Sequence, residues 1–151
     1  MSSLTLFLDF DGVLHPEFAR RHELFCELPR FERVLRDASD VQIVVSSSWR
    51  MSHTLAELQA LFSPDIAARI VGHTPPIAED EPDQYVAFHR EAECRAWMRA
   101  HCPSGKWLAL DDRPDWFKPL NDNVVHVVGE TGLTSADEVA LRLRIQRARC
   151  T

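Results

Sequence analysis

The chain carries five short apolar stretches, at 4–8, 41–45, 69–72, 106–110 and 123–128, separated by longer segments with a different rhythm. The first is almost continuously apolar, the pattern of a strand buried on both faces of a parallel sheet. Between the strands, apolar residues recur at helical spacing. Phe31, Val34, Leu35 and Ala38 follow Pro29, which suits a first helical turn, and predict a covering helix over 29–38. Leu55, Leu58, Leu61 and Phe62 predict a second helix, closed by Ser63-Pro64. A third is expected over about 86–101, with Ala87, Cys94, Trp97 and Met98 among its less polar positions. Ser135 and Glu138 have the spacing of a capping box for the last helix. Strands alternating with helices predict an α/β fold whose right-handed crossovers give a parallel sheet covered on both sides.

The polar residues that interest us stand where these strands end. Strand 4–8 runs into Asp9-Phe10-Asp11-Gly12, and ligands of open α/β sheets bind beyond the carboxyl ends of the strands. With a side-chain period of two, Asp9 and Asp11 project to one side if extended geometry persists. Two anions so close need compensation, and a hard divalent cation is the usual answer. Gly12 lets the chain turn away without a Cβ penalty. Strand 41–45 runs into Ser46-Ser47-Ser48-Trp49-Arg50, and strand 106–110 into Asp111-Asp112-Arg113-Pro114-Asp115. Plainer readings exist for both: a serine capping the next helix, and an Asx turn ahead of Pro114. Trp49 is then core packing, and His15 and His22, which could approach substrate, read more simply as solvated loop residues.

Asp-Phe-Asp-Gly-Val-Leu-His after an apolar strand resembles the first motif of the haloacid dehalogenase (HAD) superfamily of phosphohydrolases, and the serine and double-Asp strands follow in that family's order. The resemblance implies a Rossmann-like sheet of strand order 5-4-1-2-3. It makes Asp9 the nucleophile that becomes aspartyl-phosphate and Asp11 the general acid/base. It asks for a phosphate-binding hydroxyl at Ser47, with Ser46 the alternative and Ser48 beside them near substrate; Arg50 is open to pairing with substrate phosphate or with an acidic site residue, or to solvation. A third-motif cation falls on Arg90, where the superfamily more often has lysine; Arg95 and Lys106 are alternatives. Magnesium would be held by Asp9, the backbone carbonyl of Asp11 and Asp112, with Asp111 auxiliary and Asp115 on a metal-bound water. Residues 15–30 correspond to the family's helical turn and hairpin flap and are too short for a cap domain. An open site suits macromolecular or bulky phosphate esters. Two rivals are a phospho-accepting signalling domain and a catalytically idle phosphate- or metal-binding module. The D-x-D-G spacing, which sets an acid/base beside the nucleophile, favours turnover.

Composition narrows the field further. At 151 residues, 45% hydrophobic and 26% charged, the chain reads as one globular domain over 1–151. A net charge of -6 argues against a general nucleic-acid-binding surface, though not against a local one. No stretch reaches transmembrane length and no signal-peptide pattern opens the chain, so no membrane partner is expected. Cys26, Cys94, Cys102 and Cys150 are scattered without C-x-x-C spacing, which reads as free thiols in a reducing cytoplasm. The 73–87 loop carries Glu79, Asp80, Glu81 and Asp83, and would repel highly anionic substrates if it overhung the site. Arg142, Arg144, Arg147 and Arg149 give the last helix a solvated basic face.

Overall fold

The computed structural model describes residues 3–76 and 87–150. Five parallel strands, β1 (Leu4–Leu8), β2 (Val41–Val45), β3 (Ile70–His73), β4 (Lys106–Asp111) and β5 (Val124–His126), form one sheet of order β3-β2-β1-β4-β5. Read from the other edge, this is the expected 5-4-1-2-3. β1 is central and every one of its residues is buried. It pairs Leu4–Leu8 with Val41–Val45 on one side and with Lys106–Leu110 on the other, so both neighbours end level with it.

Helices α1 (Leu28–Arg36), α2 (Leu55–Gln59), α3 (Pro64–Ala67), α4 (His89–His101) and α5 (Ser135–Cys150) flank the sheet. Alternate residues of the strands feed two cores. Leu4, Leu6, Leu8, Ile43, Val45, Leu108 and Leu110 pack with Phe31 and Leu35 of α1, Leu58, Ile66, and Leu141 and Ile145 of α5. On the opposite face Phe7, Val44, Trp107 and Ala109 meet Cys94 and Met98 of α4 in a much smaller cluster.

Several boundaries depart from the sequence reading, each for a local reason. The helix expected over 55–62 stops at Gln59, and Ser63-Pro64 opens α3 instead of closing a helix. Proline lacks only an amide that a first turn leaves unpaired, and buried Glu32 accepts hydrogen bonds from both the amide and the hydroxyl of Ser63. β3 starts at Ile70 because Arg69 folds back to donate to the carbonyls of Leu35, Ala38 and Val41. α5 is capped one residue earlier than the Ser135/Glu138 box: Thr134 and Asp137 exchange the capping bonds. That leaves Glu138 to pair with Arg30, Arg33 and Arg142. The basic face of α5 is correspondingly less solvated than expected, since Arg142 pairs with Asp37 and Arg149 with Asp40. α4 begins at His89, and the acidic run at 79–83 lies outside the described residues. In place of a hairpin flap, 15–27 holds one 3₁₀ turn at Arg21–Glu23, and the described residues form no large cap.

Candidate active site

Equal strand ends put the acids of β1 and β4 side by side. Asp9 donates its amide to the carbonyl of Leu110 at 3.1 Å, and its side chain emerges on the same face as that of Asp111. Both are almost fully buried. Arg90 comes down from α4 to meet them. Its Nη1 lies 3.3 Å from Asp9 Oδ1 and 3.1 Å from Asp111 Oδ2, and donates to the Ser46 carbonyl at 2.7 Å. Asp112 joins from the rim, so Asp9, Asp111 and Asp112 each offer a carboxylate oxygen within 4.8 Å of the others.

One guanidinium against three carboxylates leaves the cluster short of positive charge. Burial, then the charge of Asp111, raises the proton affinity of Asp9 well above the usual carboxylate range, against the pull of Arg90. Burial likewise pushes Asp111 up to about 6, with Arg90 and the Arg113 amide opposing. An all-oxygen donor set with unneutralised charge fits a hard divalent cation. The backbone is shaped around it as well. Gly12 takes a φ of +80°, and a Cβ at Gly12 or Gly129 would overlap the Asp112 carboxylate. A side chain at either position would force that carboxylate to move.

Asp11 has a different environment. It is half exposed and accepts a hydrogen bond from His15 Nε2 at 2.7 Å and from Trp49 Nε1 at 3.2 Å. His15 Nδ1 accepts the amide of Phe25 at 3.2 Å, which leaves Nε2 to carry the proton. Phe25 itself sits at φ 61°, a costly region for a bulky residue, and its ring packs edge-on against His15 and Trp49. These donors, His15 foremost, hold Asp11 below the usual carboxylate range although burial opposes them. His15 is therefore not a solvated loop residue: it is 1% exposed. Trp49 packs, as expected, and also donates to Asp11.

The remaining sequence candidates divide. Ser46 is buried on the face that carries Asp9, with an Oγ that makes no conventional hydrogen bond among the described residues. Ser47 is buried and accepts the Trp49 amide at 3.3 Å, capping the 3₁₀ turn Ser48–Met51. Ser48 lines the cleft. Arg50 is turned away from it, bonded to the carbonyls of Thr74 and Ser47 and to Glu93 Oε2 at 2.5 Å. Arg95, half exposed, pairs with buried Glu91 one turn back on α4, and Lys106 starts β4 at the far end, donating to the Ala148 carbonyl. Asp111 does make the Asx-type bond, accepting the Arg113 amide at 2.9 Å, while Asp115 is engaged by Arg113. The cleft, about 130 Å³, is lined by Asp9, Asp11, Glu17, Ser48, Arg90, Asp112, Arg113 and Trp116. Sequence reasoning passed over Glu17, Arg113 and Trp116. Their signal was proximity to the two acidic motifs, which alone does not say which way a loop side chain turns.

Residues 5–138 match the family model of the HAD domain in Swiss Army Knife RNA repair proteins. The chain belongs to that family. No curated protein and no solved structure matches it. The HAD domain is of a hydrolase, phosphoesterase type whose superfamily typically uses a divalent metal, and the chain has a buried Asp cluster. Among the described residues no helix is long and apolar enough to cross a membrane.

Proposed function

We propose that this HAD domain is a Mg²⁺-dependent phosphatase that hydrolyses a phosphate monoester through an aspartyl-phosphate on Asp9. The observation that carries the reading is the division between its first two acids. Asp9 is buried in an acid cluster with Arg90, whereas Asp11 stands two residues on at the open rim under separate hydrogen-bond control. Two carboxylates held in contrasting environments are the usual basis for two roles.

Asp9, Asp112 and the Asp11 carbonyl would hold the cation, with Asp111 supporting. When bound, Mg²⁺ offsets charge between nucleophile and phosphate. Asp9 Oδ attacks phosphorus and the ester oxygen leaves with a proton from Asp11. Asp11 then takes a proton from water as that water attacks the acyl-phosphate, freeing phosphate and restoring Asp9. At rest Asp11 is ionised, the state needed for the second step; a dianionic phosphate beside it raises its proton affinity for the first. Arg90, with a hydroxyl from Ser46 or Ser47, stabilises the equatorial oxygens.

The small cleft, without a large cap among the described residues, and the RNA repair proteins in which this family's domain occurs together support a phosphorylated RNA end as the bulky substrate. Four cysteines outside any disulfide support a reducing, cytoplasmic setting. Activity on an aryl phosphate should vanish in chelator and return with Mg²⁺. Acid-quenched mass spectrometry of Asp11→Asn should find phosphate on Asp9. Full activity in chelator, or label on Asp11, refutes the reading.

A further inference from the structure

Beyond the reacting acids, the cleft has a second chemical character at its mouth. Trp116 lies in the 3₁₀ turn that follows the β4 acids and lines the same cleft as Asp9 and Asp112. The Arg113 guanidinium sits 4.0 Å from the centre of its ring, and that of buried Arg90 4.7 Å. Arg113 is held in place by a two-point pair with Asp115, Nε to Oδ1 at 3.2 Å and Nη2 to Oδ2 at 3.1 Å, while 40% of its side chain stays exposed. The His89 ring lies 4.6 Å from that of Trp116, tilted by 56°.

We infer that Arg113 and Trp116 form a stacking platform for the base of a nucleoside phosphate whose monoester reacts at Asp9. The inference rests on the phosphatase reading and specifies what the leaving group must carry. Three observations lead to it. A cleft of about 130 Å³ is well below the roughly 300 Å³ at which pockets begin to enclose a small molecule, so the group beyond the phosphate lies at the mouth. What it meets there is a planar cation braced on an indole, and both guanidinium planes and aromatic rings stack nucleobases. Apart from Ser48, the other mouth residues, Asp11, Glu17 and Asp112, are acidic, which disfavours recognition through further backbone phosphates. A π-face is read by stacking whatever the charge around it. The base can belong to a free nucleotide or to the terminal nucleotide of a strand, since the chemistry of contact is the same.

The test compares AMP, ribose 5-phosphate and a 5′-phosphorylated oligonucleotide at saturating Mg²⁺, in the unaltered protein and in Trp116→Leu, Trp116→Phe and Arg113→Gln. The reading variable is the ratio of kcat/KM for AMP to that for ribose 5-phosphate, which cancels any general loss of turnover. The unaltered protein should prefer AMP by roughly 5- to 150-fold, the range base–aromatic stacking commands. Trp116→Leu and Arg113→Gln should bring the ratio close to one, and Trp116→Phe should keep most of it. A further gain for the oligonucleotide assigns the base to a strand end; equal rates assign it to a mononucleotide. Turnover of both sugar phosphates with no preference overturns the platform and leaves the phosphatase intact. Where AMP and ribose 5-phosphate both resist hydrolysis, calorimetry decides the platform: tighter binding of AMP than of ribose 5-phosphate, abolished in Trp116→Leu, upholds it, and equal binding overturns it; the phosphatase reading itself fails only if the oligonucleotide and an aryl phosphate resist as well.

Discussion

The two faces of the sheet are made from the same strands and could hardly differ more. Under α1 and α5, alternate residues Leu4, Leu6 and Leu8 enter a large core of aliphatic and aromatic side chains. Under α4, the intervening Thr5, Phe7 and Asp9 face a small apolar cluster that gives way to Ser46, Arg90, Glu93 and Asp111, all buried. Burying apolar surface is favourable by about 25 cal/mol per Å², whereas each buried charge costs free energy unless it is paired. The first face therefore stabilises the domain and allows the second to keep charges that folding alone would not select. Stability and chemistry are divided by the strand's period of two.

That division can be broken most severely at Asp9. Asp9→Asn should abolish turnover, because a neutral amide cannot attack phosphorus, yet the metal-free protein should melt no lower than the parent, since the isosteric amide relieves the crowding of acids while Arg90 keeps Asp111 as its partner. Steady-state assay and a thermal melt on one preparation check both halves. Next in size is Asp11→Asn, for which turnover should fall about 10²–10⁴-fold, the usual worth of a general acid/base. On the opposite face the signs reverse. Leu35→Ala, in the large core, should cost about 2–5 kcal/mol by denaturant titration and leave kcat per folded molecule within experimental scatter. A comparable loss of kcat there would show that the faces are not independent.

Smaller effects sharpen the electrostatics. Because burial raises the folded-state pKa of Asp111 to about 6, its contribution to the stability of the metal-free protein is present below the ordinary carboxylate pKa and lost as pH rises through about 6. The cation binds the ionised acids and displaces their protons. Mg²⁺ should therefore raise Tm more at pH 7.5 than at pH 5, and a larger shift at pH 5 would contradict the assignment. Smallest is the contrast within the second acid pair. Asp111 is engaged by Arg90 and the Arg113 amide, while Asp112 is presented at the rim. Asp112→Asn should weaken Mg²⁺ binding more than Asp111→Asn in a calorimetric titration.

The strands and the motif acids were legible because they obey short-range rules. An apolar run that ends in Asp-x-Asp-Gly or Asp-Asp declares both a strand and the end at which chemistry collects. Arg90 was legible only with the family resemblance, since an arginine on a polar helix has no local mark of burial. His15 was misread for a related reason: its partner Asp11 is close in sequence, but the Phe25 amide that fixes its tautomer depends on how the following loop closes. Arg50 has the right address and the wrong direction, because Glu93 on α4 claims it. Thr134 outcompetes Ser135 as a cap through a one-residue shift that propensity cannot resolve.

The central place of β1 also has a meaning in time. Its partner on one side is made soon after it, but Leu8 meets Leu110 only across most of the chain's length. On a ribosome Asp9 would thus emerge long before Arg90, Asp111 and Asp112 exist to surround it. An amino-terminal stretch ending before β4 can hold Asp9 and still lack the fourth-strand acids, so the site is absent from a half-made chain and appears only when the last pairing of β1 is formed.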